Sequence, residues 1–219
     1  IITNPDLIEI DSTIFTGISC YGANDGAIQA INAIGGTPPF EYSVNGSTHY
    51  TNMAFFNGYG AGTYTVEAYD IYNCTAQDII IFEEPDELDV TITTSGWVYN
   101  PNSNTYSYQI RCNGDSSGFA DIAVNGGTTP YIRTVLESNG DTVTSGVSPL
   151  ISGLVADVYT FIVMDANGCI YSETITFNEP SLLVHNFIPT HVTCSGWSNG
   201  SLMDSVSGGV GTATSYIYA

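Results

Sequence analysis

The sequence predicts an all-β protein built as tandem Ig-like or fibronectin-like β-sandwich repeats, and three observations carry that prediction. The apolar residues are Ile, Val, Tyr and Phe more than Leu, mixed with 23 glycines in 219 residues, which is a strand-and-turn composition. Short segments rich in β-branched and aromatic side chains are bounded by turn residues at intervals of about ten. A set of anchors also recurs in order along the chain, the mark of an array of similar modules.

The elements follow in chain order. "IITNP" at 1–5 matches "IIIFEEP" and "TITFNEP", so these residues are expected to be the last strand of a preceding repeat. Repeat 1 runs over 6–85 and holds the strand candidates 27–34, 40–46, 63–70 and 76–85. Asn-Gly pairs at 45–46, 125–126, 139–140 and 167–168 supply the positive-φ positions that tight turns need. Repeat 2 runs over 86–180, but Pro85 to Cys112 is 27 residues where Pro5 to Cys20 is 15. The excess, at about 95–110, reads as an inserted hairpin bearing Trp97, Tyr99, Tyr106 and Tyr108 around a turn at 100–104. Repeat 3 begins at 181 and is unfinished at Ala219. No helix is predicted.

The anchors are specific. "CYGANDG" at 20–26 returns as "CNGDSSG" at 112–118 and "CSGWSNG" at 194–200. A double glycine follows each Cys by 15, 14 and 14 residues: Gly35-Gly36, Gly126-Gly127 and Gly208-Gly209. "TPPFEY" and "TTPYIR" come next in the first two repeats. Tyr64 to Cys74 and Tyr159 to Cys169 are both ten residues, and Pro85 and Pro180 each lie eleven residues beyond those cysteines.

This pattern resembles the SprB-type repeat of large surface adhesins in gliding Bacteroidota. The matching positions are Cys20, Gly22, Asp25 and Gly26; Gly126, Gly127, Pro130 and Tyr131; and Tyr159, Asp165, Gly168 and Cys169, with Tyr64, Asp70 and Cys74 in repeat 1. Departures are the inserted hairpin, Asp157 in place of Gly62, and a third repeat whose "GGVGTATSY" lacks the proline. The resemblance implies export through the type IX system, attachment at the outer cell surface and a role in adhesion or gliding.

Charge narrows the function classes. Twenty-two acidic residues face two basic ones, Arg111 and Arg133, and the net charge is −20. Such a field repels phosphate backbones and anionic lipid, so nucleic-acid partners are excluded. No apolar run reaches the ~18 residues needed to cross a bilayer, so no membrane insertion is expected in this segment. With no Lys at all, Lys–Asn isopeptide staples are excluded and covalent reinforcement falls to cysteine.

Five cysteines, Cys20, Cys74, Cys112, Cys169 and Cys194, take repeat-equivalent positions, which suits disulfides in an oxidising compartment. The simplest pairing is within repeats, Cys20–Cys74 and Cys112–Cys169, with the partner of Cys194 outside the chain. Loops of 54 and 57 residues closed this way contribute about 4 kcal/mol each in the chain-entropy picture. An Ig-like sandwich, however, would hold those two positions at opposite ends. Bonds between neighbouring repeats, for example Cys20 with Cys169, are therefore the alternative.

Other surface chemistry is weaker. Asp followed by Ser or Thr and a small or aliphatic residue resembles the O-glycan acceptor of exported Bacteroidota proteins, at Ser12, Thr142 and Ser205. Asp25 and Asp165 lie in Asx-rich turns of the kind that offers oxygen to Ca²⁺, the one cofactor considered, although no D-x-D-x-D-G loop exists. Trp97 and Trp197 are contact candidates for a ligand or a neighbouring chain. His49, His185 and His191 have no metal-ligand spacing, and no G-x-S-x-G, P-loop or dinucleotide fingerprint occurs, so no enzyme is expected. The expected function is a structural stalk of an exported adhesin or filament, whose partners are neighbouring repeats, other copies or surface polysaccharide. The alternatives are a carbohydrate-binding module array with stacking aromatics, or a self-assembling extracellular fibre joined through strand edges.

Overall fold

The chain is described by a computed structural model over residues 6–47, 50–51, 55–97, 99–100, 104–106 and 108–210. The strand expected at 1–5, His49 and the tail past Val210 lie outside the described residues. The described residues of repeat 1 form seven strands: β1 (Glu9–Thr16), β2 (Gly26–Ile34), β3 (Glu41–Val44), β4 (Tyr50–Thr51), β5 (Phe55–Tyr59), β6 (Gly62–Tyr69) and β7 (Thr75–Phe82). They divide into a three-stranded sheet, β1-β2-β5, and a four-stranded sheet, β4-β3-β6-β7. Neighbouring strands in both sheets run antiparallel, with β6 and β7 matched from Gly62↔Phe82 to Tyr69↔Thr75.

Repeat 2 starts with β8 (Asp89–Thr94). The short strands β9 (Tyr99–Asn100) and β10 (Thr105–Tyr106) then pair with each other, Tyr106↔Tyr99. The repeat continues through β11 (Gly118–Asn125), β12 (Ile132–Leu136), β13 (Thr142–Gly146), β14 (Leu150–Leu154), β15 (Asp157–Met164) and β16 (Ile170–Phe177). Its sheets, β14-β11-β8 and β13-β12-β15-β16, repeat the three-plus-four division with the same order of strands. This is the all-β, sandwich-type architecture that the sequence predicts, and no helix occurs among the described residues. Strands β17 (Ser181–Thr190) and β18 (Ser201–Gly209) make a two-stranded sheet of their own.

Period-two alternation explains which face each strand buries. In β6, Val66 and Ala68 are both fully buried; in β15, Tyr159, Phe161 and Val163 are. Strand β7 is apolar on both faces, yet only Ile80 and Phe82 point inward, while Ile79 and Ile81 are more than half exposed. Phe82 meets Phe15 and Tyr64 edge-on at 5.6 Å, and Phe177 meets Tyr159 edge-on at 5.4 Å. Tyr64 and Tyr159 also donate their hydroxyls four residues back, to the Gly60 and Val155 carbonyls at 3.1 and 3.3 Å. Each thus forms the tyrosine corner that pins the crossing between sheets in such sandwiches.

The chain gathers into two compact units. The first comprises Ile1–Asp89 with Asn125–Tyr131 and Met164–Ile170; the second comprises Val90–Val124, Ile132–Val163 and Tyr171–Ala219. The division does not coincide with the sequence boundary at 85/86, because two loops of repeat 2 belong to the first unit. Those loops carry the functional geometry.

Two substitutions test the inward and outward assignment. Phe161→Ala should lower the stability of the second unit by about 3–5 kcal/mol, the usual cost of emptying a core aromatic site. Ile79→Ala, on the exposed face of β7, should stay within ~0.5 kcal/mol. Urea unfolding followed by tryptophan fluorescence and circular dichroism measures both; similar losses for the two would contradict the sidedness.

Candidate functional site

The site is built from turns whose residue types are fixed by backbone demands. Each double glycine presses against the segment that follows the repeat boundary. Gly35, at φ 67°, has no room for a Cβ, which would collide with the Leu7 carbonyl, and Gly126 stands in the same relation to Glu87. Left-handed backbone and this close approach both call for glycine. The next glycine anchors the loop: Gly36 N–H donates to the Asp6 carbonyl at 2.9 Å and Gly127 N–H to the Asp86 carbonyl at 2.8 Å. A cis peptide bond follows in both repeats, at Pro38-Pro39 and Thr129-Pro130.

A buried carboxylate then organises the cysteine loop. Asp165 is 3% exposed. Its Oδ1 accepts from the N–H of Asn167 and of Cys169 at 2.9 and 2.8 Å, and its Oδ2 from Thr128 N–H at 2.8 Å. Asp70 repeats this arrangement with Tyr72, Cys74 and Thr37 at 2.9, 2.8 and 3.1 Å. Burial pushes the Asp70 carboxyl up, but the backbone donors of Cys74, Thr37 and Tyr72 outweigh it and hold it below the ordinary carboxylate value. Loss of solvation, and then the Asp70 charge, push the Cys74 thiol above its ordinary value.

The other cysteine type sits in a turn closed from behind. The carbonyl of Cys20 accepts from Ala23 N–H at 3.0 Å, and Gly22 N–H donates to Glu84 Oε2 at 2.7 Å. In repeat 2, Asp115 N–H donates to the Cys112 carbonyl at 3.1 Å and Gly114 N–H to Glu179 Oε2 at 2.7 Å. The glutamate preceding each boundary proline therefore holds the Cys-x-Gly turn at the end where its repeat finishes. The Asp70 loop, tied to Thr37 beside the Gly36–Asp6 contact, sits where its repeat begins.

This placement corrects the within-repeat pairing. Cys20 is bonded to Cys169, 149 residues away with Cα atoms 5.7 Å apart. Cys74, Cys112 and Cys194 are free and exposed within this chain. The physical reason is topological: Cys20 and Cys74 lie at opposite ends of one sandwich, so the turn closing one repeat meets the loop opening the next. Asn167 Nδ2 reinforces the staple by donating to the Ser19 carbonyl at 3.0 Å and to Thr128 Oγ1 at 3.1 Å. In the chain-entropy picture, closing this span restricts the unfolded chain by about 5 kcal/mol.

The remaining candidates are dispersed. Asp25 Oδ1 accepts from Ser19 N–H at 3.1 Å, and hydrogen bonding from Ser19 lowers its carboxyl. Asp25 and Asp165 thus act as backbone clamps, and among the described residues no three His, Cys, Asp or Glu side chains converge as a metal site would need. Trp97 and Trp197 are exposed, and the Arg111 guanidinium lies 5.7 Å over the Trp97 ring. Ser12, Thr142 and Ser205 are all exposed, on β1, β13 and β18. The clamp role of Asp70 and Asp165 was the feature that sequence reasoning missed; its signal was an Asp four residues before each second cysteine.

Residues 12–49 match the family model of the SprB repeat. The matched stretch holds the Cys20 turn, the Gly35-Gly36 pair and the Pro38-Pro39 bond, and it points to a cell-surface adhesin-type protein. Among solved structures, the three N-terminal domains of the Highly Immunogenic Outer Capsid protein (Hoc) of bacteriophage RB49 are similar at 14% identity and a TM-score of 0.43, over 96% of this chain and 71% of that one. No curated protein matches this sequence. Among the described residues no helix is long and apolar enough to cross a membrane.

Trypsin provides a direct check of the pairing, because its only sites are Arg111 and Arg133. After denaturation without reductant, cleavage should leave 1–111 disulfide-joined to 134–219 and release 112–133. Within-repeat bonds would instead release 1–111 and keep 112–133 joined to 134–219. Intact-mass analysis distinguishes the two.

Proposed function

We propose that this chain is a load-bearing stalk segment of a large exported surface adhesin or filament, serving adhesion or gliding. The observation that supports this best is the staple from the closing turn of one repeat to the opening loop of the next. Tension applied along such an array pulls on a covalent link at that junction rather than on strand pairing alone. Boundary residues Pro85 and Pro180 restrict the backbone beside the anchored turns. The reading is non-enzymatic, with neighbouring repeats as the first partners and surface polysaccharide or other copies beyond them.

Export is supported by the acidic, lysine-free composition and by the family match. Both arginines also have partners, Arg111 over Trp97 and Arg133 Nη1 to the Val147 carbonyl at 2.9 Å, and the sequence offers a trypsin-like protease no other cleavage site. O-glycans on Ser12, Thr142 or Ser205 fit the same setting, since all three side chains face outward. The carbohydrate-binding reading is less well supported: a sugar stacking on Trp97 would have to displace the guanidinium from its face.

Antibodies raised against residues 86–180 should label intact, unpermeabilised producing cells and reduce their attachment to glass or to coated beads. Labelling only after permeabilisation would overturn the surface assignment, and surface labelling with unchanged attachment and motility would overturn the adhesive one.

A further inference from the structure

The second unit contains a cavity of about 360 Å³ beside the free Cys112, lined by Pro180, Leu182, Leu183, Gly209 and Val210 among others. Each of these has a counterpart in the first unit by position in the repeat: Cys20, Pro85, Glu87, Leu88, Gly127 and Thr128. There the corresponding space is filled. A Cβ placed on Gly127 would meet Asp165 Oδ2 at 2.9 Å as well as Leu88, whereas the three nearest atoms to one on Gly209 all belong to Leu183 among the described residues. The missing piece is the Asp-to-Cys loop, whose Cys169 is bonded to Cys20.

The pocket is poised in the other respects. The Cys112 turn is held by Glu179 as the Cys20 turn is held by Glu84. Arg111 N–H donates to Ser117 Oγ at 2.9 Å, matching Ser19 N–H to Asp25 Oδ1 at 3.1 Å. Gly208 collides with the Leu182 carbonyl if given a Cβ, as Gly126 does with that of Glu87, so the double-glycine half of the junction is already docked. The residues on β17 and most of β18 are exposed, Leu182, Leu183, Phe187 and Leu202 among them. An apolar surface of this kind calls for a covering partner.

We propose that the Cys112 cavity receives the Asp-to-Cys loop of the repeat to which β17 and β18 belong, and that Cys112 forms a disulfide with the cysteine of that loop. The occupant is a segment of the same polypeptide. In the two repeats seen whole, Asp70 and Asp165 fall 34 and 38 residues after Gly36 and Gly127, which places the third such loop past Ala219. The bond joins two thiols with loss of two protons and two electrons, which a disulfide-exchange catalyst or oxidant of the export compartment accepts. Cys74 is the complementary half, free and exposed on the same kind of Asp-clamped loop. The cysteines then form a staggered ladder, each repeat stapled to the next, instead of closed rings within repeats.

The inference rests on the extracellular setting proposed above, and one experiment separates the two. The full-length protein in producing cells is alkylated before lysis, purified, digested without reduction by proteases cutting at aromatic and aliphatic residues, and sequenced by mass spectrometry. The expected result is a Cys20–Cys169 peptide together with Cys112 bonded to an Asp-x-x-x-Cys peptide from beyond Ala219. A Cys112→Ser variant should then leave that distal cysteine alkylated while Cys20–Cys169 persists. Cys20–Cys169 intact with Cys112 alkylated, or joined to Cys74 or Cys194, would overturn the ladder and leave the surface reading standing. Alkylation of all five cysteines would overturn both.

Discussion

The carboxylate of Asp165 uses both oxygens to gather the backbone N–H groups of Thr128, Asn167 and Cys169, and the rest of the junction depends on that gathering. A buried carboxylate without donors is costly, while three backbone amides without an acceptor are costly too. Together they fix a loop that hydrogen bonding along strands could not define. The loop in turn sets the position of Cys169 and aims Asn167 Nδ2 at the Ser19 carbonyl. The disulfide to Cys20 is therefore prepared by non-covalent geometry on both sides. On the Cys20 side the preparation comes from Glu84, which holds the turn by Gly22 N–H.

The two-sheet division was legible because its causes are local. Alternation in "TYTVEAY" and "VYTFIVM" assigns the buried face, and Asn-Gly and Gly-Gly steps assign the turns. The recurrence of the Cys-x-Gly anchors was legible for the same reason, since they are backbone necessities: Gly22 and Gly114 both adopt positive φ in their Cys turns. Cysteine pairing was not legible to the same degree. Spacing within each repeat is compatible with an intra-repeat bond, and only the placement of Cys20 and Cys74 at opposite ends of the sandwich excludes it. Asp165 shows a second limit. The string Asp-Ala-Asn-Gly suits a Ca²⁺-binding turn and an Asx turn equally, and what separates them is whether amides or a cation fill the carboxylate's acceptor sites. The tyrosine corners of Tyr64 and Tyr159 were visible only as a conserved distance to cysteine within the chain, because their partners are backbone carbonyls.

Charge and reinforcement belong together in this protein. At −20, self-repulsion works against compaction while keeping molecules apart in solution. With no Lys and only two arginines, ion pairs contribute little; among the described residues His185 Nδ1 lies 4.0 Å from Asp204 Oδ1. Cohesion comes instead from the cores around Val66 and Phe161, from backbone hydrogen bonds to carboxylates, and from the staple. Acidic residues that would otherwise only repel are used as acceptors for backbone N–H at Asp70, Asp165, Glu84 and Glu179.

Single-molecule stretching between the two termini tests the central claim, that one staple carries tension across two repeats. With Cys20–Cys169 closed, the 149-residue span between them stays out of the force path, so the account predicts a short extension from the flanking residues alone. Adding reductant should lengthen the fully stretched chain by roughly 500 Å, the reach of that span at about 3.4 Å per residue. Equal extension with and without reductant would contradict the account.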